Sequence, residues 1–92
     1  MIRSFRHRGL KRLFEDGDPS RIRPDLVEKV ENILSVLNAA SAPHDLNLPG
    51  YRLHALKGDR KGYWAVTVRA NWRIVFRLKD GDAFDVDFVD YH

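Results

Sequence analysis

Tyr63-Trp64-Ala65-Val66-Thr67-Val68-Arg69-Ala70-Asn71-Trp72-Arg73-Ile74-Val75-Phe76-Arg77-Leu78-Lys79 is the stretch that decides how this chain folds. Trp64, Val66 and Val68 alternate with Ala65, Thr67 and Arg69, and then Trp72, Ile74, Phe76 and Leu78 alternate with Arg73, Val75, Arg77 and Lys79. A period of two belongs to strands, whose successive side chains point to opposite faces of a sheet. The Ala70-Asn71 break predicts a tight turn and so an antiparallel pair. Downstream of Asp80-Gly81, Phe84, Val86 and Phe88 alternate with Asp85, Asp87 and Val89 as a third strand. Upstream, residues 51–57 form a shorter strand, with Gly58–Gly62 as the connecting turn, and Ile2–Phe5 is a candidate N-terminal edge strand.

Before Pro49-Gly50 the period is helical. Residues 7–16 carry Leu10, Leu13 and Phe14 on one side, and Gly17 supplies a C-terminal stop. Pro24 suits a first helical position, with Asp25 and Glu28 in the opening turn. Leu26, Val30, Ile33, Leu37 and Ala40 then recur at helical spacing, joined by Val27 and Leu34, until Pro43 bars continuation. The expected architecture is α+β: one domain over residues 1–92, with two N-terminal helices on one face of a small, twisted, mostly antiparallel sheet.

Register adds a detail. A strict two-residue turn at Asp80-Gly81 sets Arg77 opposite Phe84 and points the two apolar faces to opposite sides. An odd-length loop or a bulge is therefore expected there, which places Arg77 opposite Asp85 and keeps Phe76 and Phe84 together. Arg77 with Asp85 or Asp87 reads as a cross-strand charge pair.

Composition narrows the function. The 92 residues are 43% hydrophobic and 32% charged, which fits one folded domain rather than a disordered chain. No apolar run reaches bilayer-spanning length, and no signal-peptide-like stretch follows Met1. Without cysteine there are no disulfides or thiolate metal sites, and a reducing cytoplasmic home is the expectation. The net charge of +3 hides a segregation. Residues 51–79 hold Arg52, Lys57, Arg60, Lys61, Arg69, Arg73, Arg77 and Lys79 against Asp59 alone, and residues 1–12 add Arg3, Arg6, Arg8, Lys11 and Arg12 without an acid. One-signed patches favour a polyanion, and an excess of arginine over lysine tilts that toward phosphate or carboxylate. The alternative is a solvated basic surface with no ligand.

The last strand ends in Asp90, Tyr91 and His92, a carboxylate, a phenol and an imidazole able to hold or move a proton. Arg69 and Arg73 bracket the Ala70-Asn71 turn and by alternation share a side with Arg77, while antiparallel pairing sets Arg73 beside Val89–Tyr91. Lys57 and His54 stand on the first strand of the group. The sequence has no His-x-x-x-His, no paired carboxylates, no phosphate-cradling glycine loop and no serine in a nucleophile elbow. What remains suits metal-free RNA cleavage. There the substrate's 2′-hydroxyl is the nucleophile, and the protein supplies a base, an acid and cations. His54 and His92 each have a bland alternative, as a hydrogen-bonded strand residue and a frayed terminal one. His7 and His44 read as helix-associated without a site role.

The segments Tyr51-Arg52-Leu53-His54-Ala55-Leu56-Lys57-Gly58-Asp59-Arg60, Gly62-Tyr63-Trp64, Val68-Arg69-Ala70-Asn71-Trp72-Arg73-Ile74 and Asp90-Tyr91-His92 closely resemble HigB toxins of the RelE/ParE superfamily of bacterial toxin–antitoxin systems. The likeness runs essentially end to end. It implies a RelE-like fold and a ribosome-dependent ribonuclease that cleaves mRNA in the A site, binding 16S rRNA of the 70S ribosome and the message on a concave basic surface. It makes His92 the main acid/base residue, with Asp90, Tyr91 and His54 assisting, and Lys57 and Arg73 stabilising the phosphate. Arg69 and Asn71 fall on the binding rim, and Arg60, Lys61, Arg8, Lys11 and Arg12 are further RNA-binding candidates. The implied partner is a HigA-type antitoxin with a helix-turn-helix; the toxin alone is expected to be a monomer, with no cofactor and no membrane association. A ParE-like poison of DNA gyrase and a plain nucleic-acid-binding repressor stand as alternatives. The retained His92, Tyr91 and Lys57 argue against the first. The lack of a helix-turn-helix pattern argues against the second.

Overall fold

The computed structural model describes residues 1–91. His92, the acid/base residue that the resemblance implies, lies outside the described residues. Helices α1 (Arg8–Asp16) and α2 (Val27–Ala39) precede the strands β1 (His54–Ala55), β2 (Trp64–Arg69), β3 (Trp72–Lys79) and β4 (Asp82–Asp90). The strands form one antiparallel sheet in the order β1-β2-β3-β4. Short 3₁₀ turns at Pro24–Leu26, Pro43–Leu46 and Gly58–Arg60 punctuate the connections. No helix among the described residues is long and apolar enough to cross a membrane.

The helices end where the sequence places their ends. The Nδ1 atom of His7 accepts the Leu10 N–H at 3.2 Å and caps α1. At the other end Gly17 takes φ 69° and its N–H returns to the Leu13 carbonyl, a conformation that glycine adopts without steric cost. Pro24 opens a 3₁₀ turn that leads directly into α2. The apolar stripe of α2, Val30, Ile33, Leu34 and Leu37, is at most 1% exposed. With Leu10, Leu13, Leu26 and Leu46 it covers Val66, Val68, Ile74, Phe76, Val86 and Phe88 on one face of the sheet. Each such side chain contributes ~1.5–3 kcal/mol by burial, so this helix-on-sheet layer is the main source of stability.

Two expectations about strands are corrected. The predicted strand over 51–57 shrinks to His54–Ala55, and Arg52 at φ 50° interrupts the extended backbone ahead of it. Tyr51 still reaches the sheet, its carbonyl accepting the Thr67 N–H at 2.7 Å. The Ile2–Phe5 segment is a strap rather than a full strand, touching β4 through the parallel bridges Ile2–Ala83 and Phe5–Val86. The Arg3 N–H donates to the Ala83 carbonyl at 2.7 Å and the Ser4 hydroxyl accepts the Asp85 N–H at 2.9 Å. The strap covers an edge that would otherwise offer unpaired backbone groups.

The register prediction at Asp80-Gly81 is also corrected. The loop is a strict two-residue turn, with both residues at positive φ, and Arg77 does pair with Phe84. The bulge lies further along, between the pairs Arg77–Phe84 and Val75–Asp87, where Asp85 takes φ 54°. One extra residue on β4 flips the phase. Ala83 faces the core before the bulge, and Val86 and Phe88 face it afterwards. Phe84 therefore leaves the core and lies on the other face, with the Arg77 guanidinium 5.1 Å from its ring centroid. Asp85 nonetheless meets Arg77, because the bulge turns its carboxylate back to within 2.9 Å of Nε. The expected charge pair exists without the expected backbone register.

Candidate nuclease face and rim

Cross-strand partners share a face, so the sheet can be read row by row on the side away from the helices. His54, Ala65, Val75 and Asp87 form one row, and Thr67, Arg73 and Val89 the next. Ala65 and Val75 are buried floor residues outside the main core. Longer side chains surround them, and a cleft of about 220 Å³ opens there between Arg6, Asp59, Arg60, Tyr63, Asp85 and Asp87. The Tyr63 hydroxyl donates to Asp85 Oδ2 at 3.2 Å, beside the Arg77 contact. The Arg77 hydrogen bond, with Tyr63 adding to it, holds the Asp85 carboxyl below the ordinary aspartate range.

Beyond this cleft, Arg73 and Tyr91 come together. The guanidinium carbon lies 5.9 Å from the Tyr91 ring centroid. Nη1 donates to the carbonyls of Ala70 and Trp72, while the Tyr91 N–H donates to the Asn71 carbonyl at 2.8 Å. The turn between β2 and β3 thus holds both residues. Arg73 Nε is buried and finds no hydrogen-bond partner among the described residues. A cation with an unmatched N–H has an unmet demand for an acceptor. His54 is exposed, its Nδ1 3.2 Å from the Arg52 carbonyl. Lys57 is exposed just before the 3₁₀ turn that carries Arg60, and Lys61 closes that turn.

The remaining candidates lie elsewhere. Thr67 pairs with Arg73 but Arg69 pairs with Trp72, so β2 holds one extra residue and Arg69 turns to the helix side. The expectation that Arg69 shares a side with Arg73 and Arg77 is therefore corrected, and a bulge is the reason. Asp90 pairs with Trp72 and likewise faces the helix side, whereas Val89 pairs with Arg73 on the open face. Asp90, Arg69 and Asn71 line a rim cleft of about 250 Å³ together with Arg23, Leu26 and Trp72. Arg8, Lys11 and Arg12 occupy the exposed surface of α1, in the helix layer, around a separate hollow with Glu15 and Asp16. The predicted constellation is thus divided between a face, a rim and a helix surface.

Arg23, which lines the rim cleft, and Asp25, which binds it from outside the cleft, carry no site signal in the sequence. Arg23 grips Asp25 with Nε at 3.1 Å and Nη2 at 2.9 Å, and Arg69 Nη1 reaches the same Oδ2 oxygen at 3.1 Å. The run Arg23-Pro24-Asp25 signals only a helix start. His7 also has a structural role beyond its position, capping α1 and meeting Phe88 edge-on at 5.7 Å. Burial pushes its pKa down, partly offset by the Asp87 carboxylate. Among the described residues no group of three His, Cys, Asp or Glu side chains is placed to hold a metal ion.

The family described as the RelE-like toxin of the type II toxin–antitoxin system HigB matches this chain over residues 3–92. The chain is similar to a protein named Endoribonuclease HigB from Proteus vulgaris, 48% identical over 92 residues and covering all of both chains. It is similar also to Toxin HigB-1 of Vibrio cholerae, at 32% identity over all of this chain and 98% of that one. Among solved structures, a point mutant of YafQ from E. coli superposes with a TM-score of 0.64, covering 98% of this chain and 91% of that one. At 19% identity that likeness speaks for the fold.

Proposed function

The chain belongs to the HigB-like family of RelE-like toxins of type II toxin–antitoxin systems and is an endoribonuclease with an antitoxin partner, and on that premise we propose that it cleaves mRNA in the ribosomal A site and so arrests translation. The reaction is transesterification. The 2′-hydroxyl oxygen of the substrate forms a bond to the neighbouring phosphorus, the P–O5′ bond breaks, and the products carry a 2′,3′-cyclic phosphate and a 5′-hydroxyl. One proton leaves the 2′-oxygen and one arrives at the 5′-oxygen. His92 is the main proton carrier, imidazole being the side-chain type suited to giving and taking a proton near neutral pH, and Asp90, Tyr91 and His54 assist in orientation and transfer. Lys57 and Arg73 stabilise charge on the phosphorane.

The observation that supports this reading best is the Arg73–Tyr91 pair. Its guanidinium rests on two neutral carbonyls with Nε unmatched. Turning to a charged phosphate oxygen exchanges weak acceptors for a stronger one. Arg60 and Lys61 beside the open cleft, Arg69 and Asn71 at the rim, and Arg8, Lys11 and Arg12 on α1 spread basic groups over several surfaces. Such a spread suits an enclosing site, with the message on the sheet side and 16S rRNA against the remainder. The partner is a HigA-type helix-turn-helix antitoxin, the free toxin is a monomer, and the setting is the bacterial cytoplasm.

The test is cleavage of mRNA on programmed ribosomes by the wild type and by His92→Ala, with folding verified by matched thermal melts. The wild type is expected to cut in the A site leaving 5′-hydroxyl ends, and the variant to lose ~100-fold or more. A variant as active as the wild type removes His92 from the chemistry. Growth arrest without any cleavage overturns the ribonuclease reading and favours a gyrase-type target.

A further inference from the structure

Asp25, Arg23 and Arg69 form an arrangement that a purely structural role explains poorly. Two guanidiniums, that of Arg23 and that of Arg69, which lies 44 positions from Asp25, converge on a single carboxylate oxygen, Oδ2 of Asp25, at 2.9 and 3.1 Å. The three side chains together carry a net positive charge, and the Asp90 carboxylate also lines the adjoining cleft. The three are 57%, 64% and 41% exposed for Arg23, Arg69 and Asp25, so water screens the pairs and they hold weakly. Directly beside them lies the rim cleft, walled by Leu26, Trp72 and the Asn71 amide. A fork of arginines around one oxyanion next to an apolar wall with an amide is the recognition geometry of a phosphodiester with its sugar or base.

We propose that the rim cleft is a phosphodiester-binding site in which an RNA phosphate displaces the Asp25 carboxylate and is held jointly by Arg23 and Arg69. The inference rests on the ribonuclease reading above and adds to it Arg23 as a binding residue and Asp25 as a built-in competitor. In the free protein Asp25 keeps both guanidiniums aimed at the point the phosphate will occupy. Asp90 also lines the cleft and disfavours an anion at its own end, so the phosphate sits at the Arg23–Arg69 end. Asn71 and Trp72 then face the adjoining nucleoside. The phosphate belongs either to the message or to ribosomal RNA.

The discriminating feature is sign. If the cluster only tethers residues 23–26 to β2, Asp25→Asn and Arg23→Gln both leave RNA binding unchanged or weaken it alike. If Asp25 competes with phosphate, the two variants move affinity in opposite directions. The experiment measures binding of a 12-nucleotide 2′-O-methyl RNA, free and loaded on 70S ribosomes, over a series of salt concentrations. Unfolding midpoints of both variants and cleavage of unmodified message by the wild type are measured in parallel. Asp25→Asn is expected to bind about 1.5- to 5-fold tighter, the size of one exposed ion pair. Arg23→Gln is expected to bind weaker by a similar factor, with the slope of log affinity against log salt reduced by about 0.7. Tightening on the free oligonucleotide assigns the phosphate to the message, and tightening on ribosomes alone assigns it to ribosomal RNA. Folded variants that both bind like the wild type, or both weaken, overturn the proposal while a cleaving wild type leaves the ribonuclease reading intact. A wild type that neither cleaves message nor binds RNA overturns both.

Discussion

Asp85 gives the sharpest prediction, because at this position the usual ranking of alanine over glycine in a strand should invert. Its φ of 54° places it in the left-handed region, and its carboxylate accepts from Arg77 Nε at 2.9 Å and the Tyr63 hydroxyl at 3.2 Å. Removing the side chain loses both contacts. The Arg77 pair, 40% and 34% exposed, is worth ~0.2–1 kcal/mol after screening. The Tyr63 hydrogen bond is worth ~1 kcal/mol. Alanine and glycine share that loss of ~1–2 kcal/mol. Alanine then also bears ~1–2 kcal/mol for a Cβ in the left-handed region, whereas glycine bears only ~0.5–1 kcal/mol from its freer unfolded chain. Asp85→Gly should therefore be the more stable variant by roughly 0.5–1 kcal/mol. In a domain of this size that is a difference of about 2–8 °C in Tm. Urea unfolding followed by the fluorescence of Trp64 and Trp72, together with thermal melts, measures it. If Asp85→Ala equals or exceeds Asp85→Gly with unchanged m-values, the bulge is not fixed where described, and the account of β4 fails.

Three further outcomes follow from neighbouring features. His7 is kept neutral by burial in the folded protein and titrates at its ordinary value when unfolded, so the unfolded chain binds more protons at mildly acidic pH. Its contribution is complete above about pH 6.5 and is lost as pH falls through the depressed folded value; His7→Asp, which keeps a capping acceptor, should show a smaller drop in Tm between about pH 7.5 and 5.5, and an equal drop would refute this. A Cβ on Gly9 would stand 2.7 Å from His7 Cε1 and 2.8 Å from Arg21 Cβ. Gly9→Ala should therefore lose ~1–3 kcal/mol by overpacking, where an unhindered helix site would gain; a raised urea midpoint would count against the packing described. Arg73→Lys keeps the charge but not the planar guanidinium and its Nε–H, so message cleavage should fall by ~10-fold or more with Tm little changed, and wild-type cleavage by the variant would remove the guanidinium from the chemistry.

The layers of the fold are legible because the residues that build them act through simple periods. Val30, Ile33 and Leu37 can only be a helix stripe, and Ile74 and Phe76 can only share one face of a strand. Bulges are different. A single extra residue at Val68 or Asp85 changes which face every later side chain occupies, and alternation alone carries no mark of it. That is why alternation groups Arg69 with Arg73 although it faces Asp25, and why it assigns Phe84 to the core. The candidate site is readable where neighbours on adjacent strands create it, as with Arg73 beside Val89 and Tyr91. It is unreadable where contact depends on how layers dock, as with Arg23, Asp25 and Arg69. The resemblance names residues, but only the structure separates those on the open face from those on the rim.

The strap has a consequence in time. Ser4 and its partner Asp85 are separated by 81 positions, and Ile2 and Phe5 likewise bridge Ala83 and Val86. During synthesis residues 2–5 must wait for β4 before these bridges can form. Local helices can form early, but contacts of such span come late because the whole intervening loop must close first. Arg73 and Tyr91 meet across the same late strand pair. A product that lacks β4 therefore has neither a sealed sheet edge nor the Arg73–Tyr91 pair, so the toxin is unarmed until that strand has been made.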